Sequence, residues 1–239
     1  GRIDSLEQTG ELSTPRSIFY RTITYNLRGE YRKSLNYYYQ LADIDVNTLD
    51  DQGDFECYNY SCKDYLRLLC NVKRYDIAIR EAYAIDKKLK EAGDDDFARL
   101  HDIAEMIGEC QLCLGQNADA MQNFKKSLKA IKERLKTNNG DLDLRECQKT
   151  MNAIATVYMR RGYYSEVTPW ILAQDSLYEQ ALKLPKADPV YLDEMKAEIS
   201  YTRAMQAHAL GRIDYAEKAF AEYSSTATSK QPGSLINSC

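Results

Sequence analysis

The stretch AEMIGECQLCLGQNADAMQNFKKSL, residues 104–128, decides the fold of this chain. Mostly small or apolar side chains recur there at intervals of three or four, on both sides of one glycine. They are Ala104, Ile107, Gly108 and Gln111 before Gly115, and Ala120, Phe124 and Leu128 after it. Such intervals place side chains on one face of an α-helix, and glycine permits the backbone of a tight turn. The stretch therefore predicts two amphipathic helices joined at Gly115.

Two small residues set how closely these helices can pack. Gly108 lies on the first helix and Ala120 on the second. Because neither side chain fills space between the helix axes, we expect a close approach at this point. A bulky residue at either position should force the hairpin apart.

The same arrangement occurs five times along the chain. Its turn residues are Gly29, Lys73, Gly115, Gly162 and Gly211, at intervals of 44, 42, 47 and 49 residues. Unequal intervals indicate helical hairpins of unequal length. No single hairpin can bury its own apolar stripe, so neighbouring hairpins must stack around a continuous core. The sequence predicts an elongated all-α domain of about five hairpins over residues 1–223, and residues 224–239 as a connector with the start of a further repeat.

This spacing resembles the tetratricopeptide repeat (TPR) over residues 15–223. The second helices match the family pattern well, most clearly where alanine is followed by an aromatic residue, as in Ala120 and Phe124 or Ala216 and Phe220. The first helices carry other residues at the family's tryptophan position, namely Ile18, Cys62, Ala104, Met151 and Ser200. The resemblance implies a right-handed α-solenoid in which the first helix of each hairpin lines the concave face.

The resemblance also implies which side chains are exposed on that concave face, counted from each turn residue. They are Arg16, Phe19, Ile23 and Asn26 in the first hairpin; Tyr60, Lys63, Arg67 and Asn71 in the second; Glu105 and Glu109 in the third; Lys149, Asn152, Thr156 and Arg160 in the fourth; and Tyr201, Met205 and His208 in the fifth. Charged, amide and aromatic groups are mixed in this set. Such a mixture suits a peptide or protein segment better than a small apolar ligand.

A simpler interpretation of part of this face remains open. Lys63 and Arg67 can pair with Glu105 and Glu109 across adjacent hairpins, and exposed ion pairs of this kind contribute little stability. The chaperone-binding TPR proteins use a lysine-asparagine-asparagine-lysine-arginine clamp for a terminal carboxylate. Lys63 and Arg67 do not reproduce that clamp, so chaperone binding is not predicted.

Composition argues against several other classes of function. The 239 residues carry a net charge of −4, with basic residues scattered among acidic ones, whereas nucleic-acid binding needs a concentrated basic surface. No apolar run is long enough to span a membrane, and no signal peptide begins the sequence. The sequence contains no phosphate-binding loop, nucleophile elbow or zinc-protease helix. We therefore predict a non-catalytic chain without a cofactor, in which His101 and His208 are surface or lining residues.

Seven cysteines leave three interpretations open. Cys110 and Cys113 form a CxxC pair, but no second pair lies at zinc-finger spacing. Packing of buried free thiols is the favoured interpretation, ahead of a disulfide and of a metal site. The acidic run Asp94–Asp96 lacks the spaced ligands of a calcium loop and is interpreted as a solvated loop or helix start.

Nineteen tyrosines are an unusual number for this length. Most fall at or beside the packing positions of the repeats, as Tyr37, Tyr38 and Tyr39 do. Packing with the hydroxyls at the rim is favoured over a tyrosine-lined groove.

A narrower resemblance concerns the first thirty residues. Ile3 to Leu6, Gly10 to Leu12, Arg16 to Tyr25 and Gly29 to Tyr31 are similar in layout to the TPR-rich sensor regions of membrane-bound histidine kinases or transcriptional regulators of Bacteroidetes-type bacteria. This resemblance implies a periplasmic region that couples the binding of a ligand or partner to an output domain outside residues 1–239. The alternatives are a cytoplasmic adaptor or scaffold, and a cytoplasmic regulator that binds a signalling peptide.

Overall fold

The computed structural model describes residues 2–49, 51–93, 97–138 and 140–226. Over these residues the chain forms eleven α-helices and three short 3₁₀ helices, with no β-strand. It divides into two compact units, Gly1–Asp95 and Asp96–Cys239. In the same residues no helix combines the length and the apolar character that a membrane span requires.

Unit 1 contains the first two hairpins. The first hairpin is α2 followed by α3, and the second is α4 followed by α5. The helices are α1 (Arg2–Gln8), α2 (Thr14–Leu27), α3 (Tyr31–Tyr38), α4 (Gln52–Asn71) and α5 (Tyr75–Glu91), with 3₁₀ helices at Tyr39–Asp43 and Val46–Thr48.

Unit 2 contains the other three hairpins, which pair α6 with α7, α8 with α9, and α10 with α11. The helices are α6 (Phe97–Cys113), α7 (Asn117–Leu135), α8 (Asp141–Arg160), α9 (Thr168–Ala181), α10 (Pro189–Ala209) and α11 (Ile213–Thr226), with a 3₁₀ helix at Tyr164–Val167. Helix α8 is central, since it contacts α6, α7, α9 and α10. Its apolar side chains Leu144, Met151 and Ile154 belong to the main core of the unit.

All five predicted turn residues have a left-handed backbone. Their φ angles are 70° at Gly29, 60° at Lys73, 75° at Gly115, 75° at Gly162 and 72° at Gly211. Glycine adopts this conformation at little cost, whereas a residue with a Cβ atom is strained there. The five turns, and with them the predicted all-α fold of TPR-like hairpins, are confirmed.

The predicted close approach in the third hairpin is also present. A Cβ atom added to Gly108 would lie 2.8 Å from Cε1 of Phe124. Phe124 and Ala120 of α7 are both fully buried. Gly108 therefore leaves the space that the Phe124 ring occupies.

The residues at the family's tryptophan position all face the core. Ile18, Cys62, Ala104, Met151 and Ser200 are each buried, although they differ in size and polarity. A large residue at this position is therefore replaced here by five smaller ones. This difference explains why the first helices match the repeat pattern less well than the second helices.

The structure differs from the sequence-based expectation at both ends of the described chain. Helix α1 was not predicted; it is held against α2 by Arg21, whose Nη2 lies 2.7 Å from Asp4 and 2.9 Å from Glu7. Helix α11 continues to Thr226, so the first three residues of the predicted connector are helical. Residues 227–239, like the acidic run 94–96, lie outside the described residues.

Candidate functional site

The first helices of the three hairpins in unit 2 are α6, α8 and α10, and we call the surface that they share the first-helix face. Asn152, Thr156 and Arg160 follow one another along α8 at intervals of four, which places them on one side of the helix. Asn152 bonds to α10 and Arg160 bonds to α6. These three residues, the α8 stripe, therefore lie on the first-helix face.

Contacts with neighbouring helices orient two side chains of the stripe. The Thr202 hydroxyl of α10 lies 2.6 Å from Oδ1 of Asn152 and 2.9 Å from the carbonyl oxygen of Glu198, and donation to the nearer Oδ1 directs the amide nitrogen of Asn152 away from α10. Nη1 of Arg160 donates to the carbonyl oxygen of Leu112, at the end of α6, at 2.9 Å. Arg160 is exposed and Asn152 is half-buried. The stripe thus offers amide and guanidinium donors in fixed positions.

Glu105 and Glu109 of α6 were expected to be exposed, and this expectation is wrong. Glu105 is 5% exposed and Glu109 is 7% exposed. Nζ of Lys149, on α8, donates to Oε2 of Glu105 at 3.1 Å, and the Thr150 hydroxyl donates to Oε1 at 3.1 Å. The carboxylate is buried because α8 supplies both a cation and a hydroxyl to it, as a buried charge requires.

His101 was expected at the surface or lining the face, and it is instead 2% exposed. Its Nδ1 lies 2.7 Å from Oγ of Ser127 on α7. Its Nε2 lies 4.0 Å from Oε2 of Glu105 and 3.8 Å from Oε2 of Glu146 on α8. His101, Glu105, Ser127, Glu146, Lys149 and Thr150 form one group of polar side chains, which we call the buried polar cluster.

Four members of this cluster were not predicted as site residues from the sequence: His101, Ser127, Glu146 and Thr150. His101 and Glu105 are four residues apart, which places both on one side of α6. That spacing was the available signal. It was not decisive, because a solvated helix face shows the same pattern.

Electrostatics within the cluster shift several pKa values. The carboxylate of Glu105 raises the pKa of Lys149, so this lysine is a firmly held ammonium. Burial alone would lower the pKa of His101, but Glu146 and Glu105 outweigh burial and raise it. Burial opposes ionisation of Glu146, yet His101 and Lys149 hold its pKa below the usual value.

Carboxylates outnumber cations at the edge of the cluster. Burial raises the pKa of Glu198, on α10, to about 7. Lys149 and Arg145 lower this pKa, whereas Glu146 and Glu194 raise it. Arg145 is already engaged, since it lies 2.6 Å from Glu194 and 2.7 Å from Glu146. This part of the first-helix face therefore has capacity for additional positive charge.

The other predicted residues of α10 have different surroundings. The Tyr201 ring packs against Phe220 and Tyr223 of α11, with ring centroids 6.3 Å and 5.3 Å apart. Met205 and His208 are exposed. Their role in binding stays a prediction.

In unit 1 the predicted residues fall into two groups. Arg16 and Asn26 make contacts within the unit: Arg16 pairs with Asp51 at 2.9 Å and Asp54 at 2.7 Å, and Asn26 donates to the Tyr38 hydroxyl at 3.0 Å. Phe19 and Tyr60 come together, with ring centroids 6.1 Å apart. Ile23 and Lys63 are half-buried, Arg67 and Asn71 are exposed, and Arg67 lies 3.9 Å from Asp64. The pairing of Lys63 and Arg67 with Glu105 and Glu109 joins the two units and stays a prediction.

Several thiols and tyrosines are packing groups, whereas Cys113 of the CxxC pair is disulfide-bonded. Cys57, Cys62 and Cys147 are free thiols, and burial raises the pKa of Cys62 to about 12 and that of Cys147 to about 11. Such thiols are unreactive at neutral pH. Tyr38 and Tyr65 are buried and stack with ring centroids 5.4 Å apart.

The comparisons with known proteins identify the fold class. Two solved structures of nearly identical TPR-like repeats, from a Podosopora anserina protein described as a kinesin light chain, are similar. The first has a TM-score of 0.59 at 13% identity over 88% of this chain and 93% of the other. The second, a single-residue variant of that protein, has a TM-score of 0.62 at 14% identity over 90% and 96%.

A third similar structure is the apo form of RapI, with a TM-score of 0.52 at 13% identity over 90% of this chain and 84% of the other. No protein-family model matches the sequence, and the comparison with curated proteins gives no match either. The chain therefore has a TPR-like helical-repeat fold, and identities this low carry the fold alone.

Proposed function

We propose that this chain is a non-catalytic binding module, and that the α8 stripe receives an extended segment of another protein. The observation that carries this proposal is the fixed amide of Asn152. Because Thr202 holds its oxygen at 2.6 Å, its nitrogen is positioned to donate to a backbone carbonyl of the bound segment. A preorganised donor loses less entropy on binding than a mobile one.

Arg160 adds a preference to this site. Arg160 lies eight residues along α8 from Asn152. One nitrogen of its guanidinium donates to the carbonyl oxygen of Leu112, and the exposed remainder can pair with a carboxylate of the bound segment. The site is therefore suited to a segment with an acidic side chain or a terminal carboxylate near one end.

The test uses peptides selected from a random display library on the intact chain, with binding measured by fluorescence anisotropy. We expect Asn152→Ala to weaken the selected peptides about tenfold, the effect of one or two lost hydrogen bonds. Arg160→Ala should weaken acidic peptides most, and less so at high salt.

Two exposed residues supply matched controls. Gln122 of α7 and Arg161, whose guanidinium stacks on the Tyr163 ring at 4.9 Å, lie outside the stripe. Gln122→Ala and Arg161→Ala should leave affinity unchanged. Equal affinities for wild type, Asn152→Ala and Arg160→Ala would show that the segment binds elsewhere.

We further propose that this module is the periplasmic sensor region of a membrane-anchored histidine kinase or regulator. The support is the layout of residues 3–31, and the alternative is a cytoplasmic adaptor. Reading the gene on both sides of this chain tests the assignment. A signal peptide and a downstream membrane span support the sensor, whereas an uninterrupted soluble continuation contradicts it.

A further inference from the structure

The buried polar cluster brings three metal-ligating atoms together. Nε2 of His101, Oε2 of Glu105 and Oε2 of Glu146 all lie within 4.8 Å of one another. His101 and Glu105 are buried, and Glu146 is half-buried at their edge. A nitrogen and two carboxylate oxygens are ligands that zinc accepts.

The nitrogen of His101 that meets the two carboxylates is Nε2. The other ring nitrogen, Nδ1, is hydrogen-bonded to Oγ of Ser127 at 2.7 Å. When Ser127 accepts this hydrogen bond, Nδ1 carries the proton and Nε2 of the neutral ring has the free lone pair that a metal ligand requires.

Nε2 of His101 faces the carboxylates of Glu105 and Glu146. Nε2 is buried and has no hydrogen-bond partner among the described residues. Its distances of 4.0 Å to Glu105 and 3.8 Å to Glu146 are too long for a hydrogen bond. Nζ of Lys149, 3.1 Å from Oε2 of Glu105 and 3.9 Å from Oε2 of Glu146, is the cation that the two carboxylates share, and it leaves Nε2 of His101 without a hydrogen-bond partner in the described part of the chain.

We propose that His101, Glu105 and Glu146 bind one Zn²⁺ ion, with water as the fourth ligand. Ligands at about 2.0–2.2 Å from a tetrahedral zinc lie roughly 3.3 Å apart. The nitrogen–oxygen pairs at 4.0 and 3.8 Å need to approach by about half an ångström, and the two carboxylate oxygens, which lie within 4.8 Å of one another, by at most about 1.5 Å, which side-chain rotation supplies. The ion then links α6 to α8, and with them the third hairpin to the fourth.

The surroundings match those of a metal site. The second nitrogen of His101 is hydrogen-bonded to Ser127, Glu105 is oriented by Thr150 and Lys149, and Glu146 is held by Arg145. Such partners fix ligand orientation in metalloproteins. In this region Glu105, Glu146, Glu194 and Glu198 outnumber Lys149 and Arg145. A divalent cation completes this balance.

The test titrates Zn²⁺ alone into the intact chain after removal of metals by a chelator, with a reducing agent present. We expect one equivalent to bind tightly to wild type. His101→Gln and Glu146→Gln should each weaken binding at least a hundredfold, and Ser127→Ala about tenfold through loss of orientation. His208→Gln is the matched control, because His208 is exposed on α10, and it should bind as wild type does.

Two further measurements keep the outcome decisive. Circular dichroism checks that each variant is folded. If His101→Gln does not fold, Glu146→Gln still tests the site, because Glu146 lies at the edge of the cluster. Co²⁺ in place of Zn²⁺ should give a tetrahedral visible spectrum without the intense near-ultraviolet band of thiolate ligation.

Three results would overturn the proposal: no binding to wild type, undiminished binding to a folded His101→Gln or Glu146→Gln variant, or a thiolate spectrum. Peptide binding at Asn152 and Arg160 is measured in a separate experiment, and neither residue is a proposed zinc ligand, so the two proposals can fail independently.

Discussion

The ammonium of Lys149 lies 3.1 Å from Oε2 of Glu105, and this ion pair joins α8 to α6 at a carboxylate that is 5% exposed. A pair in this setting differs from a surface salt bridge. Removing one partner of a buried pair leaves a charge without compensation, which costs more than the pair itself contributes. The pair is therefore a sensitive point in the contact between the third and fourth hairpins.

Lys149→Met should lower the free energy of unfolding by about 3 kcal/mol, because Glu105 is left buried without its cation. The measurement is urea denaturation followed by circular dichroism. Lys125→Met on the exposed side of α7 is the control and should change stability by less than about 0.5 kcal/mol. The double variant Lys149→Met/Glu105→Gln should recover part of the loss. A double variant as unstable as the sum of both single changes would contradict this account.

Gly108→Val should destabilise the third hairpin by about 2 kcal/mol. A Cβ atom at this position meets the Phe124 ring at 2.8 Å, and a valine adds two further methyl groups there. A double-mutant cycle with Phe124→Leu checks the cause, since a smaller partner should reduce the penalty of the valine. Independent, additive effects of the two changes would show that the Phe124 ring is not the obstacle.

The turns could be predicted from sequence because each depends on a few neighbouring residues. Gly115 and the small residues around it specify one hairpin without reference to the rest of the chain. The buried polar cluster depends instead on the register between α6 and α8, which places His101 beside Glu146, 45 positions later. A histidine and a glutamate four residues apart are typical of a solvated face, so burial of His101 could only be found in three dimensions.

The same distinction explains the mixed outcome for the first-helix face. Counting from the turn residue placed Asn152, Thr156 and Arg160 correctly on one side of α8, because helical geometry alone determines that side. It failed for Glu105 and Glu109, since burial depends on how closely α8 approaches α6.

Stability should fall as pH rises from about 4.5 to about 7, through the titration of Glu198. Its pKa is raised to about 7 in the folded chain by burial, while an unfolded glutamate has a pKa near 4.3. Between these values the folded state holds the extra proton, so raising the pH favours unfolding. The groups that face Glu198 are Lys149 and Arg145, which oppose this shift, and Glu146 and Glu194, which increase it.

Glu198→Gln should remove this pH-dependent component. The quantity to compare is the free energy of unfolding of the variant minus that of wild type. This difference should be about 2 kcal/mol larger at pH 8 than at pH 5, after allowance for partial screening by solvent. Urea denaturation at both pH values measures the difference. Glu217→Gln, at an exposed position of α11, is the matched control and should track wild type. Parallel pH profiles for wild type and Glu198→Gln would show that Glu198 ionises normally.

Lys73→Gly should stabilise the chain, because Lys73 occupies the second turn with a φ of 60° where the other four turns have glycine. A residue with a Cβ atom pays about 1–2 kcal/mol in the left-handed region. Glycine removes that strain but loses more conformational entropy on folding. This entropy loss reduces the stabilisation by about 0.5–1 kcal/mol. The expected net increase in the free energy of unfolding is about 0.5–1 kcal/mol, measured by urea denaturation. Gly211→Ala, the reverse change at an equivalent turn with a φ of 72°, should destabilise by a similar amount. If both substitutions changed stability in the same direction, backbone strain at the turns would not be the cause.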